Sequence, residues 1–266
     1  MIFFAIVVGT LVAGIGSVWL AAALSFGALG RYTQHMLSLA AGALLATAFM
    51  QLLPEAFESQ VGAQALFMVL LVGLVFFFLL DKAELWHHGH EHGEHVHQGD
   101  HPHHGHDHGH DHAKPQTSGS WAVLTGDSVH CFGDGVLIAS AFMADLRLGA
   151  IASLAVLAHE VPHHMGDLMV LRATSSNKQA ALLKVSLAGA VTALGGIVGF
   201  WLVDQLREYL PYFLTVASSS FIYVALADLI PQLQKRLSAR ETAAQIGWLC
   251  AGIVAVGLVS SLGHGH

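Results

Sequence analysis

Two short stretches of this chain place metal-binding side chains at helical spacing. The first reads HEVPHHMGD, and its opening HExxH is a pattern in which two histidines bind a metal ion and the glutamate acts as a base. His159, His163 and Asp167 follow one another at intervals of four, so they lie on one face of a helix. Glu160 and His164 form a parallel row beside them. These residue types at this spacing indicate a metal site.

The second stretch reads GDSVHCFGDG. Asp127, His130 and Asp134 are spaced by three and four residues and therefore share one helical face. Cys131 lies about 100° further around the helix, at the edge of that face. A short turn, Asp145–Leu148, separates the two stretches, so their helices are expected to run antiparallel and close together. Their ligand-bearing faces would then meet in a metal site with room for two ions.

The helices that hold these residues belong to a chain with the composition of a membrane protein. Of its 266 residues, 54% are hydrophobic and only 11% are charged, which is outside the range of soluble globular domains. Apolar runs of about 18 to 25 residues, long enough to cross a hydrocarbon core of roughly 30 Å, recur eight times. The predicted spans are Ile2–Phe26, Met36–Leu53, Gly62–Leu80, Trp121–Ala144, Leu148–Leu171, Ala181–Val203, Tyr212–Ile230 and Ala243–Leu262. We predict an all-α membrane protein with eight transmembrane helices, in which residues 1–266 form a single domain.

The fourth and fifth spans are the least apolar, because they carry the ionisable residues of the two stretches. Such groups cost several kcal/mol in hydrocarbon unless they are paired or bound to a metal. A single histidine there would be explained by hydrogen bonding in a core, but eight ionisable groups on two neighbouring spans favour a metal site. We also expect small residues on these spans to let neighbouring helices approach closely, namely Gly126, Gly133, Gly135 and Gly166.

Lysine and arginine residues predict the orientation. Nine of the eleven lie in the connections on one side of the predicted spans, and only Arg147 and Arg207 lie on the other. Basic residues accumulate in cytoplasmic loops, so both termini are expected to be extracytoplasmic. The first residues, MIFFAIVVGT, lack the positive flank of a cleaved signal peptide, so the first helix should remain in the protein. We expect an integral protein of the plasma (inner) membrane.

A histidine-rich tract, HHGHEHGEHVHQGDHPHHGHDHGHDH, joins the third and fourth spans. It runs from His87 to His112 and holds thirteen of the twenty histidines. This composition cannot build a core, so we expect a disordered cytoplasmic loop over residues 87–113. Its imidazoles and carboxylates suit divalent metals, whereas the alternative, a simple solvated linker, has no need of so many histidines.

These residues resemble the ZIP (Zrt-, Irt-like protein) divalent metal transporter family, in the branch with a histidine-rich loop. Its fourth helix carries H-N-x-x-D/E-G, matched here by His130, Asp134 and Gly135. Its fifth helix carries H-E-x-P-H-E-x-G-D, matched by His159, Glu160, Pro162, His163, Gly166 and Asp167. The span count, the termini and the loop agree as well, so the resemblance covers essentially the whole chain. Two positions depart and put a second ion site in doubt: Cys131 stands where Asn is usual, and His164 stands where many members have Glu.

The resemblance also implies a fold in which inverted three-helix repeats surround a central pair of helices. Two matching stretches support it, QLLPEA in the second span and DLIPQL in the seventh. The alternative is that Pro54 and Pro231 simply end helices, which is the commoner role of proline. The first residues of the two stretches, Gln51 and Asp228, are added to the candidate metal ligands.

The ligand assignment follows from both the spacing and the resemblance. The primary metal ligands are predicted to be His130, Asp134, His159, Glu160 and His163. Further candidates are Asp127, Cys131, His164 and Asp167. Pro162 is expected to kink the fifth span and to free the Ala158 carbonyl.

The resemblance implies a transporter rather than an enzyme, taking up a divalent cation, zinc above all, into the cytoplasm by alternating access. We expect no prosthetic group. The sequence contains no GxxxxGK[ST] nucleotide-binding loop, so transport should be driven by a gradient. The expected partners are divalent ions and the lipid bilayer, without nucleic acid, and a homodimer is left open.

Two other functions remain at this point. An intramembrane zinc protease would use the HEVPH residues with a third ligand and a water path, although Pro162 argues against it. A metal exporter with a histidine-rich loop usually shows six spans and a cytoplasmic C-terminal domain, neither of which this sequence predicts.

Overall fold

A computed structural model of the chain describes residues 1–25, 33–89, 118–174, 178–234 and 238–262. These residues form eight helices and no strand, which confirms the all-α class. Five helices are continuous: α3 (Ala63–Gly89), α4 (Ser118–Ala144), α5 (Leu146–Thr174), α6 (Lys178–Gln205) and α8 (Ala239–Leu262). The loop predicted over residues 87–113 lies outside the described residues from residue 90 onward.

The other three helices each contain one π-helical turn. α1 consists of Ile2–Leu11, the π turn Val12–Gly16 and Ser17–Ser25. α2 consists of Thr33–Thr47, the π turn Ala48–Leu52 and Leu53–Phe57. α7 follows a 3-10 turn, Arg207–Tyr209, and consists of Leu210–Tyr223, the π turn Val224–Leu229 and Ile230–Leu233.

Six of the described helices are long and apolar enough to cross a membrane: α1, α2, α3, α6, α7 and α8. α4 and α5 do not reach that hydropathy, because they carry the ionisable residues. With 27 and 29 residues, both are nevertheless longer than the roughly 20 residues that a crossing requires. Large apolar side chains cover the outside of the molecule, as on α3, where Leu71, Val72 and Phe76 are more than half exposed. Such a surface suits hydrocarbon better than water.

α4 and α5 form a tight antiparallel pair. A single residue, Asp145, separates them, which is shorter than the predicted turn. Its Oδ1 accepts hydrogen bonds from the backbone N–H groups of Arg147 (2.9 Å) and Leu148 (3.1 Å), so it caps the first turn of α5. The two ligand-bearing stretches therefore run side by side away from the link at Asp145.

Glycine lets α6 pack directly against α4. A Cβ atom at Gly135 would overlap the backbone carbonyl oxygen of Thr192, and a Cβ atom at Gly195 would overlap that of Phe132. Gly133 and Gly166 were expected to act in the same way, but among the described residues no atom from another part of the fold lies within 4 Å of a Cβ at either position. That expectation is wrong for both positions. The surroundings of Gly126 lie outside the described part of the structure.

The stretches QLLPEA and DLIPQL have the same local structure. In α2 the N–H of Leu53 bonds to the carbonyl of Ala48, and in α7 the N–H of Ile230 bonds to the carbonyl of Ala225, each five residues back. The next residue in each case is a proline, which has no N–H to offer. α2 continues for three residues past Pro54, to Phe57, and α7 continues for two residues past Pro231, to Leu233.

Candidate metal centre

α4 and α5 bring all of the candidate ligands in the two stretches together. The described residues contain three groups of metal-binding atoms, and within each group the atoms lie within 4.8 Å of one another. The first group is His130, Asp134, His159 and Glu160; the second is Asp127, Cys131, Glu160 and His164; the third is Asp127, His163 and Asp167.

The first group is compact and almost closed to solvent. His159 Nε2 lies 3.2 Å from Asp134 Oδ2 and 3.4 Å from Glu160 Oε1, and His130 Nε2 lies 3.2 Å from the same Glu160 oxygen. Only the His130 side chain is appreciably exposed, at 30%. Asp134 Oδ2, His159 Nε2 and Glu160 Oε1 are buried without a hydrogen-bond partner in the described part of the chain. Buried polar atoms rarely lack a hydrogen-bond partner. These three atoms converge as the ligand atoms around a divalent cation do.

A backbone contact orients His159 within this group. Its Nδ1 lies 3.3 Å from the carbonyl oxygen of Ala155, one turn earlier in α5. A carbonyl only accepts, so a proton on Nδ1 would leave the lone pair of Nε2 for a metal ion that Asp134 and Glu160 also bind. α5 continues as a helix through Pro162, so this arrangement does not depend on a break at the proline.

The second group contains a histidine that is held from outside the two ligand helices. The Ser17 hydroxyl on α1 donates to the Gly14 carbonyl at 2.6 Å, so it accepts from His164 Nδ1, which lies at 3.0 Å. The proton of His164 is thereby placed on Nδ1. Its Nε2 is left facing Glu160 Oε2 at 3.1 Å and Asp127 Oδ1 at 3.7 Å.

Cys131 lies inside the second group and is fully buried. Its Sγ lies 3.7 Å from Asp127 Oδ1, 3.9 Å from Glu160 Oε2 and 4.0 Å from His164 Nε2. Cys131 was expected to reach an ion beside Glu160, and metal binding by this thiol stays a prediction. The residues that depart from the family pattern, Cys131 and His164, thus lie in the same group.

The third group is the most accessible of the three. His163 Nε2 lies 3.6 Å from Asp127 Oδ1 and 3.9 Å from Asp167 Oδ2, and the His163 side chain is 39% exposed. The sequence grouped His163 with His130 and His159. In the structure its ring lies 5.5 Å from that of His130, but its metal-binding nitrogen faces the two aspartates.

Neighbouring groups share a carboxylate. Glu160 belongs to the first and second groups, and Asp127 belongs to the second and third. Asp127 and Asp134 are seven residues apart on α4, or about 10 Å at 1.5 Å per residue. The three groups therefore form a continuous row along the α4–α5 pair.

The two remaining candidates lie in the π turns of α2 and α7. Gln51 Oε1 accepts a hydrogen bond from Ser260 at 3.2 Å, and Ser260 in turn accepts one from Arg147 at 2.7 Å. Gln51 thus joins α2 to α8 and to the first turn of α5, and it belongs to none of the three groups. The Asp228 side chain lies outside the described residues.

Comparison with known proteins decides the family. The profile described as ZIP Zinc transporter matches residues 1–260. The chain belongs to the ZIP zinc transporter family. Members of the ZIP family are transporters rather than enzymes, so the HEVPH stretch does not mark a protease.

Several ZIP transporters are similar to this chain. Human zinc transporter ZIP4 is 40% identical over 116 residues, which cover 43% of this chain and 18% of ZIP4. Zinc transporter foi of Drosophila melanogaster is 34% identical over 124 residues, 46% of this chain and 17% of foi. Zinc transporter ZIP13 of Pongo abelii is 28% identical over 248 residues, 86% of this chain and 67% of ZIP13. The chain spans less than a fifth of the length of ZIP4 and foi.

Proposed function

We propose that this ZIP protein transports a divalent metal cation, zinc above all, across a membrane. The observation that carries the proposal is the first group, in which two imidazoles and two carboxylates converge between α4 and α5. The similarity to zinc transporters supports zinc as the ion. Imidazole and carboxylate ligands also suit other divalent ions, so the ligand types alone do not choose among them.

In this proposal His130, Asp134, His159 and Glu160 bind the ion at the centre of the pathway. Two carboxylates offset the charge of a divalent ion, which would otherwise be costly to hold inside a membrane protein. His163 belongs to the third group. The second group lies between the first and the third and shares a carboxylate with each.

Uptake into the cytoplasm is the proposed direction. An inside-negative potential favours inward movement of a divalent ion by roughly 4 to 5 kcal/mol per 100 mV, because each charge contributes about 2.3 kcal/mol. The distribution of basic residues supports eight crossings with both termini extracytoplasmic, in a plasma (inner) membrane.

Alternating access through inverted repeats is the proposed mechanism. The shared π turn and proline in α2 and α7 support such a repeat, because corresponding helices of two repeats would carry the same irregularity. α4 and α5 would then hold the ion between the two repeats.

Uptake into proteoliposomes tests the function. The full chain should take up Zn²⁺ under an inside-negative potential, and Asp134→Ala or His159→Ala should abolish uptake by removing a ligand of the first group. Asp204→Ala is the matched control, since Asp204 lies outside the three groups and pairs with Arg207, 2.7 Å away. Unchanged uptake in both ligand variants would contradict the proposal, and metal movement only in the outward direction would favour the exporter.

A further inference from the structure

A cavity of about 420 Å³ lies between α5 and the helices α1, α2 and α8. Its α5 wall includes Leu154, Ala158 and Val161, and its α2 wall includes Met36 and Leu39. The volume is within the range of about 300–1,000 Å³ that is typical of small-molecule sites. None of the described residues that line the cavity belongs to the three groups of metal-binding residues. The cavity is therefore a separate feature, and its apolar walls suit an apolar ligand.

The mouth of the cavity opens on the apolar outer surface of the molecule. Leu20 of α1, Leu154 of α5 and Trp248 of α8 line the cavity, and their side chains are also 43–52% exposed. α1, α2 and α8 are among the helices that are long and apolar enough to cross a membrane. The mouth is thus continuous with the surface that faces lipid hydrocarbon.

Polar side chains lie beside the cavity at the start of α2. Gln34 Oε1 accepts a hydrogen bond from Gln245 Nε2 of α8 at 3.1 Å. The next residue of α2, His35, lines the cavity, and its ring stacks on that of Trp248 with the centroids 5.8 Å apart. Aromatic rings with a polar edge are typical of the membrane–water interface. A polar end followed by apolar walls matches the order of ester and hydrocarbon chain in a lipid.

A hydrocarbon chain suits this cavity better than water does. An apolar cavity offers water too few hydrogen-bond partners, and an empty one deprives its lining of dispersion contacts. Inside a membrane such contacts, rather than the release of water, drive association. A concave space between four helices supplies more of them to a lipid chain than the outer face of α3 does.

We propose that one acyl chain of a membrane phospholipid occupies this cavity, with the ester and headgroup of the lipid beside the Gln34–Gln245 pair. The chain packs against Ala158 and Val161, on the helix that also holds His159 and Glu160. No covalent step is involved, and binding of the lipid does not depend on the transported ion.

Photolabelling of the full chain in proteoliposomes tests the site. The probe is phosphatidylcholine with a diazirine in one acyl chain, present as a trace fraction of the lipid. Peptides that contain Met36 and Ala158 should be labelled severalfold more strongly than the α3 peptide with the exposed Leu71 and Val72, which reports contact with bulk lipid. Equal labelling of the cavity and α3 peptides in the wild type would overturn the proposal.

Two variants fill the cavity from opposite walls, Ala158→Phe and Met36→Trp. Each should lower labelling of the cavity peptides to the level of the α3 peptide. Leu71→Phe, which adds a ring outside the cavity on α3, is the matched control and should leave cavity labelling unchanged. Unchanged labelling in both filled variants would overturn the proposal.

Thermal stability in detergent gives a second measurement and identifies the occupant. Phosphatidylcholine added to the delipidated protein should raise the melting temperature of the wild type, because a ligand that binds the native state stabilises it. The rise should be smaller in Ala158→Phe and Met36→Trp. Equal rises in all three proteins would place the bound lipid elsewhere, and a rise with oleate but not with phosphatidylcholine would assign the cavity to a free fatty acid. Either result would overturn the proposal.

Discussion

Contacts at Nδ1 orient two of the candidate histidines, His159 and His164. The bond from His164 to Ser17 is the clearest case, because Ser17 lies on α1 and is not itself a candidate ligand. Outer partners of this kind typically change metal affinity or activity by about 10- to 100-fold when they are removed.

We predict that Ser17→Ala weakens metal binding in the second group by about 10-fold or more, because the His164 ring loses its fixed orientation. The thiolate-to-cadmium absorption band of Cys131 measures this, and the histidine-rich tract, which holds no cysteine, does not contribute to the band. A Cys250→Ser background removes the other thiol.

Ser153→Ala is the control for this prediction. The Ser153 hydroxyl is also buried, and it donates to the Gly149 carbonyl of its own helix at 2.8 Å. Equal cadmium titrations for Ser17→Ala and wild type would show that the hydrogen bond does not position His164.

Cys131 and His164 together are predicted to favour soft ions. A thiolate prefers Zn²⁺ and Cd²⁺ over Mn²⁺, and an imidazole in place of a carboxylate removes a hard ligand and a negative charge. Changing Cys131→Asn together with His164→Glu should raise Mn²⁺ transport relative to Cd²⁺ in proteoliposomes. If the ratio stays the same, Cys131 is a packing residue only.

The close packing of α4 against α6 fixes the position of α4, the helix that carries residues of the first and second groups. A methyl group at Gly135 would collide with the Thr192 backbone, which cannot move aside as the end of a side chain can. Overpacking of this kind typically costs about 1–3 kcal/mol.

We therefore predict that Gly135→Ala lowers the melting temperature of the purified protein and reduces uptake, since α4 must shift to relieve the collision. Gly133→Ala is the matched control in the same helix, because among the described residues no atom from another part of the fold lies within 4 Å of its added Cβ. Equal melting temperatures for the two variants would show that α4 and α6 do not need this close approach.

The extents of the helices were predicted in part. The predicted span Gly62–Leu80 became α3, which continues to Gly89, because hydropathy marks the membrane-crossing part of a helix and not its whole length. The π turns were not foreseen, since a change from four- to five-residue hydrogen bonding has no periodicity of its own in the sequence. Pro54 and Pro231 were the only signals, and a proline equally permits a helix end.

At the scale of the whole molecule, the histidine-rich tract remains a prediction from the sequence. If it captures or senses metal on the cytoplasmic side, deleting residues 87–112 should leave uptake at saturating Zn²⁺ nearly intact and change uptake at low Zn²⁺. The measurement is Zn²⁺ uptake against concentration, with insertion of both proteins checked by their yield in the vesicles. Loss of all uptake in a correctly inserted deletion variant would place the tract in the pathway.

The class of the protein, its family and the helical faces that carry the ligands could be predicted from the amino-acid sequence. Each of these depends on local information: composition, apolar run length, and intervals of three and four residues such as His130 to Asp134. The family profile confirms the resemblance over residues 1–260.

The division of the ligands among the three groups could not be predicted from the sequence and follows from how α4 and α5 pack together. His159 and His163 share one helical face, yet one lies in the first group and the other in the third. The division depends on the rotation and relative height of α4 and α5, which spacing along one helix does not encode. Ser17 was missed for the same reason, because its role arises only where α1 packs against α5.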